Sequence, residues 1–318
     1  MMEGTSINKL LDVTPLKLLS GRILAALLAL PPCADAQNVV VPARDLLNFP
    51  IGLAGEAAAI GSQNASGIWN PAVIVMPDGW RWRIGAAAMN SAQDELGAQA
   101  QLVAVARRFG GTTFGATLLR ASVSDLIRTD DSPLSIGDEI PYSTFMISLA
   151  AARRLTPWLT AGVAVRSRTG RADNVTRTSS SFDLGAVASH LGTFDASVGA
   201  STFLMPLPRG GMPDRMALQL ATDFRVIGQD SSRSARAGVA VAHTEHGADE
   251  QFLFAAARWE RWEAHGGPVR TVNFGGAEVA LRLGISMRYG AYQIGVAREE
   301  STNGLAPRYH FSLTSLLK

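Results

Sequence analysis

From Trp80 to Leu317 the chain keeps returning to one pattern, a bulky apolar residue at every second position with a small or polar residue between. Leu281, Leu283, Ile285 and Met287 alternate with Arg282, Gly284, Ser286 and Arg288. Leu159, Ala161, Val163 and Val165 alternate with Thr160, Gly162, Ala164 and Arg166, and Met216, Leu218 and Leu220 and then Tyr309, Phe311 and Leu313 repeat the rhythm. Successive side chains of an extended strand point to opposite faces, so each run has one oily face and one wet or tightly packed face. An amphipathic helix needs apolar residues three and four apart, and these runs lack that spacing.

About 14 such runs follow one another, most of them near the 9 to 11 residues that a tilted membrane strand needs. They span 80–89, 98–108, 112–122, 143–154, 157–168, 178–189, 192–202, 213–225, 232–243, 251–262, 270–279, 281–288, 291–298 and 307–316. An even number lets the last strand return antiparallel to the first and leave no edge. Tight turns (Phe109-Gly110-Gly111, Leu155-Thr156, His190-Leu191) alternate with longer connections at 123–142, 169–177 and 203–212. Bacterial barrels carry short turns on the periplasmic side and long loops outside. The expected fold is therefore all-β, a single antiparallel transmembrane β-barrel. A periplasmic or cell-surface β-sandwich, serving as a binding or structural module, is the alternative.

The first 36 residues read as a secretory signal: Lys9, Lys17 and Arg22, an apolar core from Ile23 to Leu30, then Ala34-Asp35-Ala36 before Gln37. That core is too short to cross a bilayer, which takes about 20 residues as a helix. Cleavage there removes Cys33, the only cysteine, and Pro32 just before it suits lipid attachment poorly. With 29 basic and 27 acidic residues the formal charge is +2, which supports neither a nucleic-acid partner nor a polybasic membrane patch. The domain plan that follows is a signal peptide at 1–36, a plug at 37–79 and a barrel at 80–318.

Small residues crowd the second face, among them Gly85, Gly115, Gly162, Gly185, Gly238, Gly284 and Gly295. A wide aqueous pore favours charges there, so the lumen is expected to be narrow and filled, with residues 37–79 as the filler. Within that segment Gly52, Gly55 and Gly61 permit close backbone approach, Asn64-Ala65-Ser66 suits a helix cap, and Trp69-Asn70-Pro71-Ala72 suits a turn. The candidate plug residues are Gly52, Gly55, Asn64, Ser66, Trp69, Asn70 and Pro71.

Asn64-Ala65-Ser66 followed by Trp69-Asn70-Pro71-Ala72, then Val103-Ala104-Val105-Ala106-Arg107-Arg108-Phe109-Gly110, Arg128-Thr129-Asp130-Asp131 and Ser148-Leu149-Ala150-Ala151-Ala152-Arg153-Arg154-Leu155-Thr156, form an ordered set. On these motifs, over residues 51 to 200, the chain resembles the PorV/PorQ-type outer-membrane barrels of the FadL-like (long-chain fatty acid transporter) superfamily. The pattern departs at Gly-Leu-Ala-Gly and Ala-Ile-Gly near the start and at Lys318 in place of a terminal aromatic. The resemblance implies a plugged barrel in outer-membrane lipid, with either a hydrophobic small molecule or secreted proteins of a type IX-like export system as its partners.

No constellation points to an enzyme, a cofactor or a metal. His243 and His246 flank Thr244-Glu245, and Asp249 and Glu250 follow, but alternate strand faces point the two imidazoles apart and a solvated turn is the better reading. Asp125, Asp130, Asp131, Asp138 and Glu139 lack the spacing of a calcium loop. Gly52 to Gly61 lacks the Gly-Lys-Ser/Thr ending of a phosphate loop. Trp80, Trp82, Trp158, Trp259 and Trp262 fall near strand ends, where girdle aromatics anchor a barrel at the interface.

Overall fold

Alternation with a period of two needs a wall with two unlike sides, and the chain builds that wall from antiparallel neighbours. The computed structural model describes residues 40–48, 50–53, 55–61, 67–91, 97–124, 126–127, 139–211, 214–228, 232–273, 276–300 and 307–318. Its first strands are β1 (Trp82–Ser91), β2 (Ala98–Phe109), β3 (Thr112–Val123), β4 (Tyr142–Arg154), β5 (Leu159–Ala172), β6 (Val175–Leu191), β7 (Ala196–Phe203) and β8 (Met205–Gly211). They continue as β9 (Ala217–Ile227), β10 (Arg233–Thr244), β11 (Asp249–Trp259), β12 (Trp262–Asn273), β13 (Gly276–Tyr289), β14 (Tyr292–Glu299) and β15 (Arg308–Leu317).

Ring closure follows from the pairing of β1, which meets β2 on one side and β15 on the other, from Trp82↔Leu317 to Ser91↔Arg308. β8 pairs with β6 beside the end of β7, so 14 strands close the cylinder. The sandwich alternative falls with that closure, because two stacked layers would leave β1 or β15 as an edge. In a bilayer a closed wall is also what satisfies every strand N–H and C=O without water.

The oily face is outside. In β13, Leu281, Leu283 and Ile285 are 42%, 50% and 48% exposed, whereas Arg282 is 3% and Ser286 2% exposed. Val163 and Val165 of β5, Leu220 of β9 and Phe311 and Leu313 of β15 share that exterior, and Arg166, Ala221 and His310 from the same strands are buried. Such a continuous apolar band has no place on a soluble surface and suits lipid. Trp82, Trp259 and Trp262 stand at the starts or ends of their strands and Trp158 in the turn before β5, all on one rim, the rim of the turns 110–111, 155–158, 192–195, 260–261 and 290–291. Exterior and wall together make this an outer-membrane β-barrel.

Four expectations about connections need correction. His190-Leu191 is no turn but the end of β6, with Leu191 paired to Ala196 across the turn 192–195. Residues 169–177 are no long loop, since β5 and β6 run to a turn at 173–174 with Ala172↔Val175 still paired. The long connection at 203–212 holds β8: Leu204, at φ 59° and fully buried, breaks the strand after Phe203, and Met205 then pairs with Phe182. The strand expected at 270–279 is really two. β12 begins at Trp262 and passes straight through Gly266-Gly267-Pro268, with Pro268 opposite Leu281, and ends at Asn273, paired with Gly276 of β13. Glycine and proline read as breakers locally, yet here the missing side chain at Gly267 is what lets β11 approach: a Cβ would stand 2.0 Å from the Leu253 carbonyl oxygen.

Inside the cylinder runs the N-terminal segment. Val41, Leu46, Leu47, Ile51, Leu53, Ile68, Trp69, Ile74 and Met76 are each 3% exposed or less. Full burial of such a side chain is worth roughly 1.5–3 kcal/mol before entropy is counted. The wall receives the segment through small residues. A Cβ on Gly162 would lie 2.6 Å from the Pro71 carbonyl carbon, and one on Gly185 2.0 Å from Asn70 Oδ1. Gly238 does not share this role, because its neighbours are the Phe254 ring and the β9 backbone.

Candidate functional site

Arg168 of β5 is the strongest tie between wall and interior. Burial in the lumen leaves its guanidinium no water, so all its donors must find partners. Nε and Nη2 bond Asp214 at 2.5 and 2.8 Å, Nη2 also donates to the Val41 carbonyl at 2.9 Å, and Nη1 donates to the Pro42 carbonyl at 2.8 Å and to Thr144 Oγ1 at 3.1 Å. Ser179 of β6 donates to the same Asp214 at 3.0 Å. Three wall strands, the connection before β9 and the start of the N-terminal segment thus meet at one charge pair.

The sequence-selected residues of the segment occupy distinct positions. Gly52 (φ 83°) and Gly55 (φ 92°) hold left-handed turns, and Gly55 lies so close to β12 and β13 that a Cβ would stand 3.2 Å from the Gly284 amide nitrogen. Trp69 Nε1 donates to the Ile51 carbonyl at 3.2 Å, and its ring lies against Phe203 with centroids 5.1 Å apart. Asn70, wholly buried, accepts the Ala72 amide at 2.9 Å and donates to the Ala59 carbonyl at 2.6 Å, with Ala186 and Ala200 of the wall at 3.4 and 3.5 Å. That capped turn opens the short 3₁₀ helix Pro71–Ile74, with Pro71 at its first position, where no N–H is needed. Asn64 and Ser66 lie outside the described residues.

Between this segment and the wall, toward the rim opposite the strand-end tryptophans, lies a cavity of about 350 Å³. Leu47, Pro50, Trp69, Phe203 and Val269 form its apolar part, and Asp45, Glu250, Glu278, Glu299 and Arg308 much of its polar part. A second space of about 350 Å³ shares Arg44, Asp45, Asn48, Thr244 and Ala248 with it and is lined by Tyr142 and Arg215 as well. Tyr142 donates to Asp45 there. Arg44 stands over the Phe203 ring at 5.1 Å and Arg166 at 4.6 Å, so the ring packs against two guanidiniums and Trp69. A cavity of about 150 Å³ already holds a benzene molecule, and drug-sized ligands take roughly 300–1,000 Å³. The space suits one small ring system.

Several charged groups toward the rim of the short turns were not singled out by the sequence. Arg236 bonds Asp223 at 2.7 and 2.8 Å and the Asp195 carboxylate at 3.1 Å, while Arg225 and His190 reach Asp195 at 2.5 and 2.6 Å. Burial alone would raise the Asp195 carboxyl, but the His190 hydrogen bond and the two guanidiniums hold it below the usual range. Among the described residues, Glu56, Glu263 and His265 bring three possible metal-ligating atoms within 4.8 Å of one another. Glu263 is already engaged by Arg258 at 2.7 Å. His243 stands on β10 with Nδ1 2.6 Å from Asp249, exposed, and His246 sits in the turn that follows.

No protein-family model matches the chain, and no curated protein matches it. Solved structures do. The CymD monoaromatic hydrocarbon channel aligns at 10% identity with a TM-score of 0.59, over 89% of this chain and 99% of that one. The Pseudomonas putida toluene transporter TodX aligns at 12% identity with a TM-score of 0.55, over 84% and 96%. A TodX variant, the ΔS2S3 monoaromatic hydrocarbon channel, aligns at 12% identity with a TM-score of 0.56, over 83% and 99%. These neighbours are FadL-like channels, and at such identities the likeness establishes the fold this chain shares with them.

Proposed function

We propose that this chain is a non-enzymatic outer-membrane channel for small hydrophobic molecules, with residues 37–79 as its plug and no cofactor. The observation that carries the reading is the cavity of about 350 Å³ between Leu47, Pro50 and Trp69 of the N-terminal segment and Phe203 and Val269 of the wall. An apolar guest gains there by leaving water for the apolar side chains of Leu47, Trp69, Phe203 and Val269. The segment packs closely against Gly162, Gly185 and Arg168, and on this reading the conduit passes a guest without passing ions. On this reading onward movement requires the segment to yield on the side of the cavity. The fold shared with hydrocarbon channels supports this reading. The export-partner role implied by the PorV/PorQ resemblance has no counterpart among those neighbours.

Reconstituted vesicles provide the test. Vesicles carrying the purified chain should take up toluene faster than protein-free vesicles, and a Phe203→Lys variant that fills the cavity with a long cation should return the rate to background. Equal rates with and without the protein would remove the proposal.

A further inference from the structure

The rim of the short turns repeats one arrangement on its outer side. Arg107 and Trp82 are cross-strand partners on β2 and β1, and the Arg107 guanidinium stands 4.6 Å over the Trp82 ring and 4.3 Å over that of Phe109. Arg233 and Trp259 are partners on β10 and β11, with the guanidinium 4.4 Å over the indole. Arg261, in the turn between β11 and β12, lies 5.4 Å over the Tyr289 ring. These are lipid-side positions. Arg107 follows Val103 and Val105 at every second residue of β2, both open to the exterior, and Phe109, Trp259 and Tyr289 are each more than half exposed.

Arg108 is engaged by Asp78 at 2.7 Å and Arg233 by Glu260 at 2.9 Å. Among the described residues, Arg107 and Arg261 have rings on their faces but no hydrogen-bond or ion-pair partner. Arg153 and Arg154, exposed at the end of β4 on the same rim, have no ion-pair partner among the described residues either.

Stacking occupies the face of a guanidinium and leaves its N–H donors in the plane, directed past the ring. An aromatic girdle stands at the level of the lipid headgroups, so the groups that meet those donors in a bilayer are phosphates. A guanidinium resting on a ring can take a phosphate through two parallel N–H···O bonds, and the ring has already restricted its orientation. Charge then sets the class of lipid. Phosphatidylcholine carries a trimethylammonium beside its phosphate, which the unpaired arginines of this rim repel, whereas phosphatidylglycerol carries the phosphate charge alone.

We infer that the outer side of this rim is a site for anionic phospholipid, with Arg107 and Arg261 each holding a headgroup phosphate against the girdle. The inference stands on the barrel and its lipid face and is independent of what the lumen carries.

Native mass spectrometry of the full chain, released from vesicles of phosphatidylglycerol and phosphatidylcholine in equal amounts, tests it. The intact barrel should retain phosphatidylglycerol over phosphatidylcholine by about fivefold or more, the ratio that one guanidinium near an anionic surface supplies. Arg107→Gln combined with Arg261→Gln should bring that ratio below about twofold, since both charges are gone. Both positions are exposed and neither side chain serves the strand ladder, and a change of gel mobility on boiling reports that the variant is a folded barrel. Arg107→Lys combined with Arg261→Lys keeps the charges and loses the planar forks, and its ratio should fall between the two. Equal retention of the two lipids by the unaltered chain would overturn the inference, as would a preference that the glutamine pair leaves intact. A lysine pair as selective as the arginines would overturn the part given to the stacked fork.

Discussion

Replacing Arg168 by Met tests whether the N-terminal segment is held by a buried charge pair. The substitution keeps an unbranched apolar stem and removes every donor, so the Val41 and Pro42 carbonyls, Thr144 and both oxygens of Asp214 lose their bonds to it. Among the described residues, Asp214, 4% exposed, would keep Ser179 and the Arg215 amide as its donors. Breaking a buried pair by removing one partner typically costs about 3–5 kcal/mol, because the remaining charge is stranded. The strand ladder of β5 does not depend on this side chain. The cost therefore falls on docking of the segment, whose equilibrium should shift by a factor of roughly a hundred to a few thousand. Two assays read it: limited proteolysis of vesicle-embedded protein, where cleavage within residues 40–79 should appear, and single-channel recording, where the silent barrel should begin to conduct ions. Arg168→Met combined with Asp214→Leu should recover most of the loss, as removal of both charges relieves the stranded one. An Arg168→Met barrel that stays silent and protease-resistant would refute the anchoring argument.

Gly185→Leu should disturb the same contact from the wall, since its Cβ would fall 2.0 Å from Asn70 Oδ1 and 2.8 Å from Pro71 Cδ. Overpacking of this kind costs typically about 1–3 kcal/mol, visible as a lower thermal midpoint, and an unchanged midpoint would count against the close fit. Leu283→Arg, on the lipid face of β13, should cost about 2–4 kcal/mol if the position lies near mid-bilayer, measured as denaturant midpoint in lipid vesicles. No loss there would argue that this face does not meet hydrocarbon. Asp195 supplies a pH test. Its carboxyl is depressed in the folded protein, so its contribution is complete above the ordinary carboxylate value of about 3.9 and fades as pH falls through the lower folded value. Asp195→Asn should flatten the acid limb of stability below about pH 4 relative to the unaltered chain, and identical acid limbs would show the network contributes nothing.

Local rules reach as far as each strand. Leu281 to Met287 and Leu159 to Val165 showed their two faces in the primary structure because a period of two is a property of neighbouring residues. They did not reach β12, where Gly266-Gly267-Pro268 looks like a break until β11 and β13 are seen pressing on either side. Nor did they reach the extension of β5 through Thr169, Gly170 and Arg171. That stretch is paired from end to end but has no consistently oily face to betray it. Within the lumen, Trp69-Asn70-Pro71 stood out as a compact motif, and the turn it builds is a local event. Arg168 and Asp214 did not stand out. They are 46 positions apart and meet only after three strands have been laid side by side.

The alternation of the chain by itself determined a two-faced, many-stranded wall with an apolar exterior, because side-chain direction in a strand is set by the residue next door. Closure decided the rest. Which small residues of the wall face Asn70 and Pro71, where Glu299 and His310 come together, and how large a space is left beside Trp69 all depend on the register with which the last strand meets the first. That register is fixed by the summed packing of the whole ring and by no single segment of it.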